Sequence, residues 1–448
     1  MSRPHQFPGS ILMNAQARLL PAGLPYRFFA TAIVFHIFLW PSLFVAAPNV
    51  PEFSGGLGNV LATLHILTLG VIVMTAMGAS FQLLPVATGV GHLNLSPAWL
   101  TWWLYVPGVL ILVTGFVMGE PWFLRVGGIL SVSGILLFLG VVASLLWRAR
   151  TLPLPVSFAW VAILSMLVGL GLGAAMIADF DFGFLADREQ VAVIHMILAG
   201  YGFMGFLAFG FSYILVPMFA LSSNPPTGLS WGSFYGATTS LVIVLAGVVF
   251  SDVWLIGGGA IVGLATVFLY LETMLWTLNN GMRKNLGLSF VVIKASWVML
   301  PLGILVGAAW TFGLLGDEGG AIFGFLLLFG WLLTFLMGVL QRIIPFLAGM
   351  NMTRKVIKPP RLSQMADAWT LKVHAVCHGG ALALICVGIT ANKTLLIHGG
   401  AVCGLIGALC FAWFTISVLR GFYRYHRDAD VLERQQQEME KENTGNGT

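Results

Sequence analysis

Charge is what this 448-residue chain has least of: Asp, Glu, Lys and Arg make up 9% of it, where soluble globular chains carry about a quarter. With 58% hydrophobic residues, that shortage excludes a soluble fold. Cysteine is scarce too, and its four copies, Cys377, Cys386, Cys403 and Cys410, all lie inside the last two apolar runs, which excludes an extracellular disulfide framework. The net charge of +5 and pI near 9.1 do not point to nucleic acid, because the basic residues sit in short loops beside apolar runs. No long polar stretch is left for a large extramembrane domain: twelve bilayer spans of about 20 residues use about 240 residues, and connections and tails absorb the rest.

What is present is a series of apolar runs at about 26–47, 57–88, 97–119, 122–147, 154–178, 188–220, 229–250, 252–279, 287–315, 319–349, 369–391 and 393–421. They predict an all-α polytopic membrane protein with twelve transmembrane helices, its lipid bilayer the first partner. Residues 1–25 read as a cytoplasmic surface segment, since their apolar stretch is short and broken by Asn14, Gln16 and prolines, unlike a cleaved signal peptide. Residues 26–421 form the membrane domain, and 422–448 a polar cytoplasmic tail. Arg148 and Arg150, Arg283 and Lys284, the run Arg354, Lys355, Lys358 and Arg361, and the tail from Arg420 fall on one side. Glu52, Glu120, Asp179, Asp181, Asp187, Asp252, Asp317 and Glu318 fall on the other, with Arg188 and Lys393 as exceptions. The positive-inside rule then places both termini in the cytoplasm, in a bacterial inner membrane.

A spacing pattern, Gly-x7-Gly-x6-Pro, occurs three times: Gly70, Gly78, Pro85; Gly202, Gly210, Pro217; and Gly330, Gly338, Pro345. It falls on helices 2, 6 and 10, with equivalent prolines 132 and 128 residues apart. Four helices therefore make one unit, and three units, about 26–147, 154–279 and 287–421, make up the membrane domain in pseudo-threefold arrangement. The glycines allow close backbone approach, and the late proline bends or ends each helix.

In this architecture, and in the segment His65-Ile-Leu-Thr-Leu-Gly70 leading to Gly78-Ala-Ser-Phe-Gln-Leu-Leu-Pro85, the chain resembles the catalytic subunits of the heme–copper oxidase superfamily. The resemblance spans about residues 26–421. It implies three arcs of four helices with helices 2, 6 and 10 innermost, and an axial ligand for a low-spin heme at the position of His65. It also implies a pore walled by helices 11, 12, 1 and 2 as the site of that heme.

Six of the nine histidines fall inside the apolar runs: His36, His65, His195, His374, His378 and His398; His5, His92 and His426 lie in tails or loops and read as solvated. A buried imidazole needs a partner, either a helix backbone group or a metal. Five of the six belong to helices 1, 2, 11 and 12. Counting a rise of about 1.5 Å per residue puts His65 about 12 Å and His398 about 8 Å from the outer surface, at similar depth. His36 and His378 lie about 14–15 Å from the inner surface, with His374 about one turn nearer the cytoplasm. The expected axial pair is accordingly His65 with His398, then His65 with His36 or His378. His374 and His378, spaced i, i+4 with Cys377 between, also suit copper or zinc, or two packed polar groups. No Cys-x-x-Cys-His occurs, so a heme here is noncovalent and of b type.

The oxidase chemistry of the resembling family is not supported. Helix 7 and helix 10 contain no histidine, and on alignment of the prolines Phe325 stands opposite His65 and Phe323 opposite His195. A copper site and a high-spin heme cannot be assembled in the family's manner, and His195 alone defines no metal site. Lys294, Glu272 and Lys372 are too near an interface to mark a proton channel, whereas Arg125, Arg188 and Lys393 are placed to pair with heme propionates or lipid phosphate. The reading is a b-type heme-binding membrane protein with an electron-transfer, respiratory or nitric-oxide-linked role, partnered by a quinol, a cytochrome or other respiratory subunits. If it is an enzyme, it is an oxidoreductase. The alternatives are a cofactor-free transporter, disfavoured by parallel repeats, and a structural or assembly subunit.

Overall fold

The computed structural model describes residues 21, 23–90, 95–149, 151–352, 357, 360, 365 and 367–445, with 86–87 and 440–445 by backbone alone. His5, Asn14, Gln16, His92, Arg150, Arg354, Lys355, Lys358 and Arg361 lie outside the described residues. Among the described residues there is no strand, and twelve helices are long and apolar enough to cross a membrane. The chain is thus an integral membrane protein by length and composition of its helices.

In chain order, α1 is Gly23–Ala46, α3 Ser96–Met118, α4 Pro121–Trp147, α5 Pro153–Phe182, α7 Thr227–Val249, α8 Val253–Asn279, α9 Leu288–Thr311, α11 Ala368–Thr390 and α12 Thr394–Gly445. The other three are compound. In α2, α-helical Asn59–His65 and Met74–Thr88 flank a π-helical stretch, Ile66–Val73. In α6 the pieces are Arg188–Ile197, π-helical Leu198–Gly205 and Phe206–Ala220. In α10 they are Gly319–Phe325, π-helical Leu326–Leu333 and Thr334–Asn351. Two-turn π segments are rare and widen a helix where a site or a tight contact demands it. These three begin at residues 66, 198 and 326, the same 132 and 128 residues apart as the three prolines.

Helix ends follow local chemistry. Asp187, Asp252 and Asp367 cap α6, α8 and α11 by accepting backbone N–H bonds from Gln190, Trp254 and Trp369. Prolines stand in the first turns of α3, α4 and α5. Gly119 and Gly183, with φ of 69° and 58°, close α3 and α5 in the left-handed region that a side chain disfavours. The last helix runs unbroken through Gly445, beyond the point where a tail was expected, because no glycine or proline interrupts its Arg-, Glu- and Gln-rich sequence after Gly421.

The inner helices are recognised by burial: 83% of the most apolar stretch of α10 is buried, against 17% of that of α7. The π-helical part of α10 touches those of both α2 and α6. Each inner helix also leans on its predecessor through the two glycines of its pattern. A Cβ on Gly78 would lie 2.9 Å from Phe28 of α1, one on Gly210 2.9 Å from Phe158 of α5, and one on Gly338 2.7 Å from Ile293 of α9. Gly70, Gly202 and Gly330 face Phe35, Ser165 and Met299 of the same three helices. Around this centre α3 packs on α4, α7 on α8 and α11 on α12, while contacts of α4 with α5, α8 with α9 and α12 with α1 close the ring.

The three outer hairpins are closed by matching glycine pairs twelve residues apart. Gly115 meets Leu124 while Gly127 meets Leu112; Gly247 meets Ile256 while Gly259 meets Val244; Gly388 meets Ile397 while Gly400 meets Ile385. Where backbones come this close, any larger residue forces the helices apart.

Candidate functional site

Helix α1 turns Phe28, Phe29, Ala32, Phe35, His36, Leu39, Trp40 and Leu43 inward, a repeat of three and four residues that carries one histidine with the apolar stripe. Helix α11 does the same with Leu371, His374, His378, Ala381 and Ile385. The two stripes meet and bury three imidazoles. His36 and His374 are each 1% exposed and His378 5%. The ring centroids of His36 and His374 are 6.3 Å apart, and those of His374 and His378 5.7 Å. Trp40 lies 5.9 Å from His36, and Phe411 of α12 lies 4.9 Å from His374 and 6.4 Å from His36.

The hydrogen bonds of this group fix two of its tautomers. His374 Nδ1 is 3.0 Å from the carbonyl oxygen of Gly407, which can only accept, so Nδ1 carries the proton and Nε2 keeps a lone pair. The Thr334 hydroxyl spends its proton on the Phe329 carbonyl, at 2.9 Å. It therefore accepts at 2.8 Å from His378 Nε2–H, which leaves His378 Nδ1 with the lone pair. Both open nitrogens are buried without a hydrogen-bond partner, as are both nitrogens of His36 and Nε1 of Trp40. An imidazole whose N–H is held by a carbonyl or hydroxyl while its other nitrogen stays open is oriented as metal-ligating histidines are. Leaving such an atom unpaired costs about 1–3 kcal/mol of desolvation. The three imidazoles do not converge on one point: among the described residues no group of three His, Cys, Asp or Glu is placed to hold a metal ion.

The remaining histidines sit elsewhere. His65 bonds the carbonyl of Leu61 at 3.0 Å and packs its ring on Phe116 of α3, 4.6 Å away. His195 bonds Gly169 of α5 at 2.7 Å. His398 stacks on Phe44 at 4.2 Å, beside a ring that is 44% exposed at the outside of the bundle. No ring contact among the described residues joins His65 to His398, so similar depth did not bring that pair together. Cys377 faces Gly407 of α12, beside His374 Nδ1.

Arg125 forms a bidentate pair with Asp181, its N–O distances 2.8 and 2.5 Å, and Arg188 pairs with Asp179 at 2.8 Å. Their guanidiniums are engaged between helices, which argues against their use on propionates. Sequence reasoning missed Thr334 and Gly407, the groups that orient the α11 imidazoles. Neither carries a signal by itself; only the meeting of α10, α11 and α12 gives them a role. No family model matches this chain, and no curated protein matches it.

Proposed function

We propose that the protein is a b-type hemoprotein of a bacterial cytoplasmic membrane, built as three four-helix units and serving electron transfer rather than dioxygen reduction. The repeat is supported by the common positions of the π-helical stretches, of the glycine contacts to α1, α5 and α9, and of the hairpin glycines. The orientation is supported by Arg148, Arg283, Lys284 and Arg420 at one end of the bundle and Asp179, Asp181, Asp252 and Glu318 at the other.

The single observation that carries the heme is the set of open imidazole nitrogens on facing helices. Two imidazoles that shared one metal would stand about 6 Å apart, centroid to centroid. His36 and His374 stand at 6.3 Å. A heme would need only two protein ligands, which suits imidazoles that do not converge three at a time. The proposed ligand pair is therefore His36 of α1 with His374 of α11, in place of His65 with His398. His378, held by Thr334, is the alternate on α11. Phe411 lies against both rings and would have to move for a heme to be held between them. Gly407 holds the His374 N–H and thereby the ring orientation; Trp40 supplies an apolar wall. When bound, the heme supplies one-electron chemistry, with a potential set by ligand and burial.

The test is heme content. Protein purified from heme-replete cells should carry noncovalent b-type heme near one per chain, with a low-spin spectrum. Colourless protein from such cells rejects the reading in favour of a transporter or structural subunit.

A further inference from the structure

A cavity of about 180 Å³ lies among α6, α7, α8, α9 and α10. It borders α6 from Val193 to Phe209, sixteen residues or about 24 Å of helix rise, so it is elongated along the bundle. Its walls carry the rings of Tyr201, Phe206, Phe209, Trp310, Phe323 and Trp331. None of its lining residues is ionisable apart from that tyrosine, so an occupant must be uncharged. The remaining hydroxyls are spent: Ser240 donates to Gly259, Thr266 to Val262 and Thr311 to Gly307.

Tyr201 differs. Its ring stacks on Trp331 at 5.7 Å and on Phe323 at 6.4 Å, and a Cβ on Gly303 of α9 would come within 3.9 Å of its hydroxyl. Yet that hydroxyl has no hydrogen-bond partner among the described residues. A phenol set among apolar side chains normally finds one. The cavity thus offers an aromatic wall, the Tyr201 hydroxyl as a donor and an apolar extension along α6. Dry apolar cavities of about 150 Å³ already hold a benzene ring.

We propose that this cavity binds the ring of a lipid-soluble quinone, one ring carbonyl accepting from the Tyr201 hydroxyl and the first part of the hydrocarbon tail lying in the extension. A planar, uncharged ring with a carbonyl acceptor satisfies every wall at once, and the bilayer supplies such molecules directly. The site is independent of the imidazole group: its binding does not need a heme, and loss of heme leaves it standing.

Duroquinone, a tetramethylbenzoquinone, is the probe, with durene, the same ring without carbonyls, as its competitor. Duroquinone should quench the tryptophan fluorescence of the bilayer-embedded full chain saturably, at one site. Ala260→Phe or Ala308→Phe, each filling the cavity from one side, should abolish the saturable part. Tyr201→Phe should weaken binding about three- to tenfold, the worth of one hydrogen bond. Durene should compete at least tenfold less well. Quenching that does not saturate, or that survives both filling variants, overturns the site. Equal competition by durene, or full affinity in Tyr201→Phe, overturns the quinone as its occupant and leaves a cavity for plain hydrocarbon.

Discussion

The imidazole group between α1 and α11 and the cavity among α6 to α10 flank the same central helix, α10, and are opposite in construction. Around His36, His374 and His378 the packing is close and the polar atoms are left open. Around Tyr201 there is space, and nearly every polar atom is satisfied. One region leaves polar atoms unpaired and the other leaves volume unfilled. The contrast teaches that a single inner-helix framework can border two different surroundings, according to what the outer hairpin contributes. Helices α11 and α12 bring histidines and Phe411; helices α7 and α8 bring small and aliphatic residues.

The comparison can be broken most forcefully at the hairpin crossings. Gly388→Leu places a side chain against Ile397, and Gly247→Leu one against Ile256. Each should cost about 1–3 kcal/mol or more by overpacking. The first should abolish heme binding and spare saturable duroquinone quenching, and the second should do the reverse. Loss of both functions from either variant would show that the two regions are not separable.

A smaller effect separates the hydroxyls. Thr334→Val strands the His378 N–H and should destabilise the protein by about 1–3 kcal/mol, read as a lowered melting temperature, with Thr334→Ser restoring it. Thr311→Val removes a hydroxyl that serves only its own helix, and its stability should stay within about 0.5 kcal/mol of the parent, with a nearly unchanged melting temperature. If the two substitutions behave alike, Thr334 is not holding the imidazole. The smallest effects belong at the periphery. His398→Leu should leave any heme spectrum unaltered, because its ring rests on Phe44 at the outside of the bundle. Arg125→Ala, which removes an exposed ion pair, should leave the melting temperature nearly unchanged.

Much of the architecture was legible in the sequence because it is written as composition and spacing. The apolar runs located twelve helices, and Gly-x7-Gly-x6-Pro singled out α2, α6 and α10, whose glycines do face their predecessors. A second signal was present and unread: Gly115 with Gly127, Gly247 with Gly259 and Gly388 with Gly400 share one spacing and close the three outer hairpins. The concentration of histidine on helices 1, 2, 11 and 12 includes the three imidazoles that meet between α1 and α11.

Their pairing was not legible, for a physical reason. Helices apolar on every side have almost no preferred face, so the sequence fixes how deep a side chain lies but not the direction in which it points. Depth matched His65 to His398, while rotation turned one toward Phe116 and the other toward Phe44. Thr334 and Gly407 were invisible for the same reason. The cavity could not be read at all, since an unfilled volume belongs to five helices jointly; only the small residues Gly205, Gly263 and Gly307 along its walls hint at it.

The most direct measurement is the absorption spectrum of the reduced, purified protein compared with those of His36→Leu and His374→Leu, each folded as judged by its melting curve. The account predicts a low-spin b-type spectrum in the parent that turns high-spin or vanishes in both variants and persists in His65→Leu. A spectrum unaffected by either substitution, or lost only with His65, would contradict it.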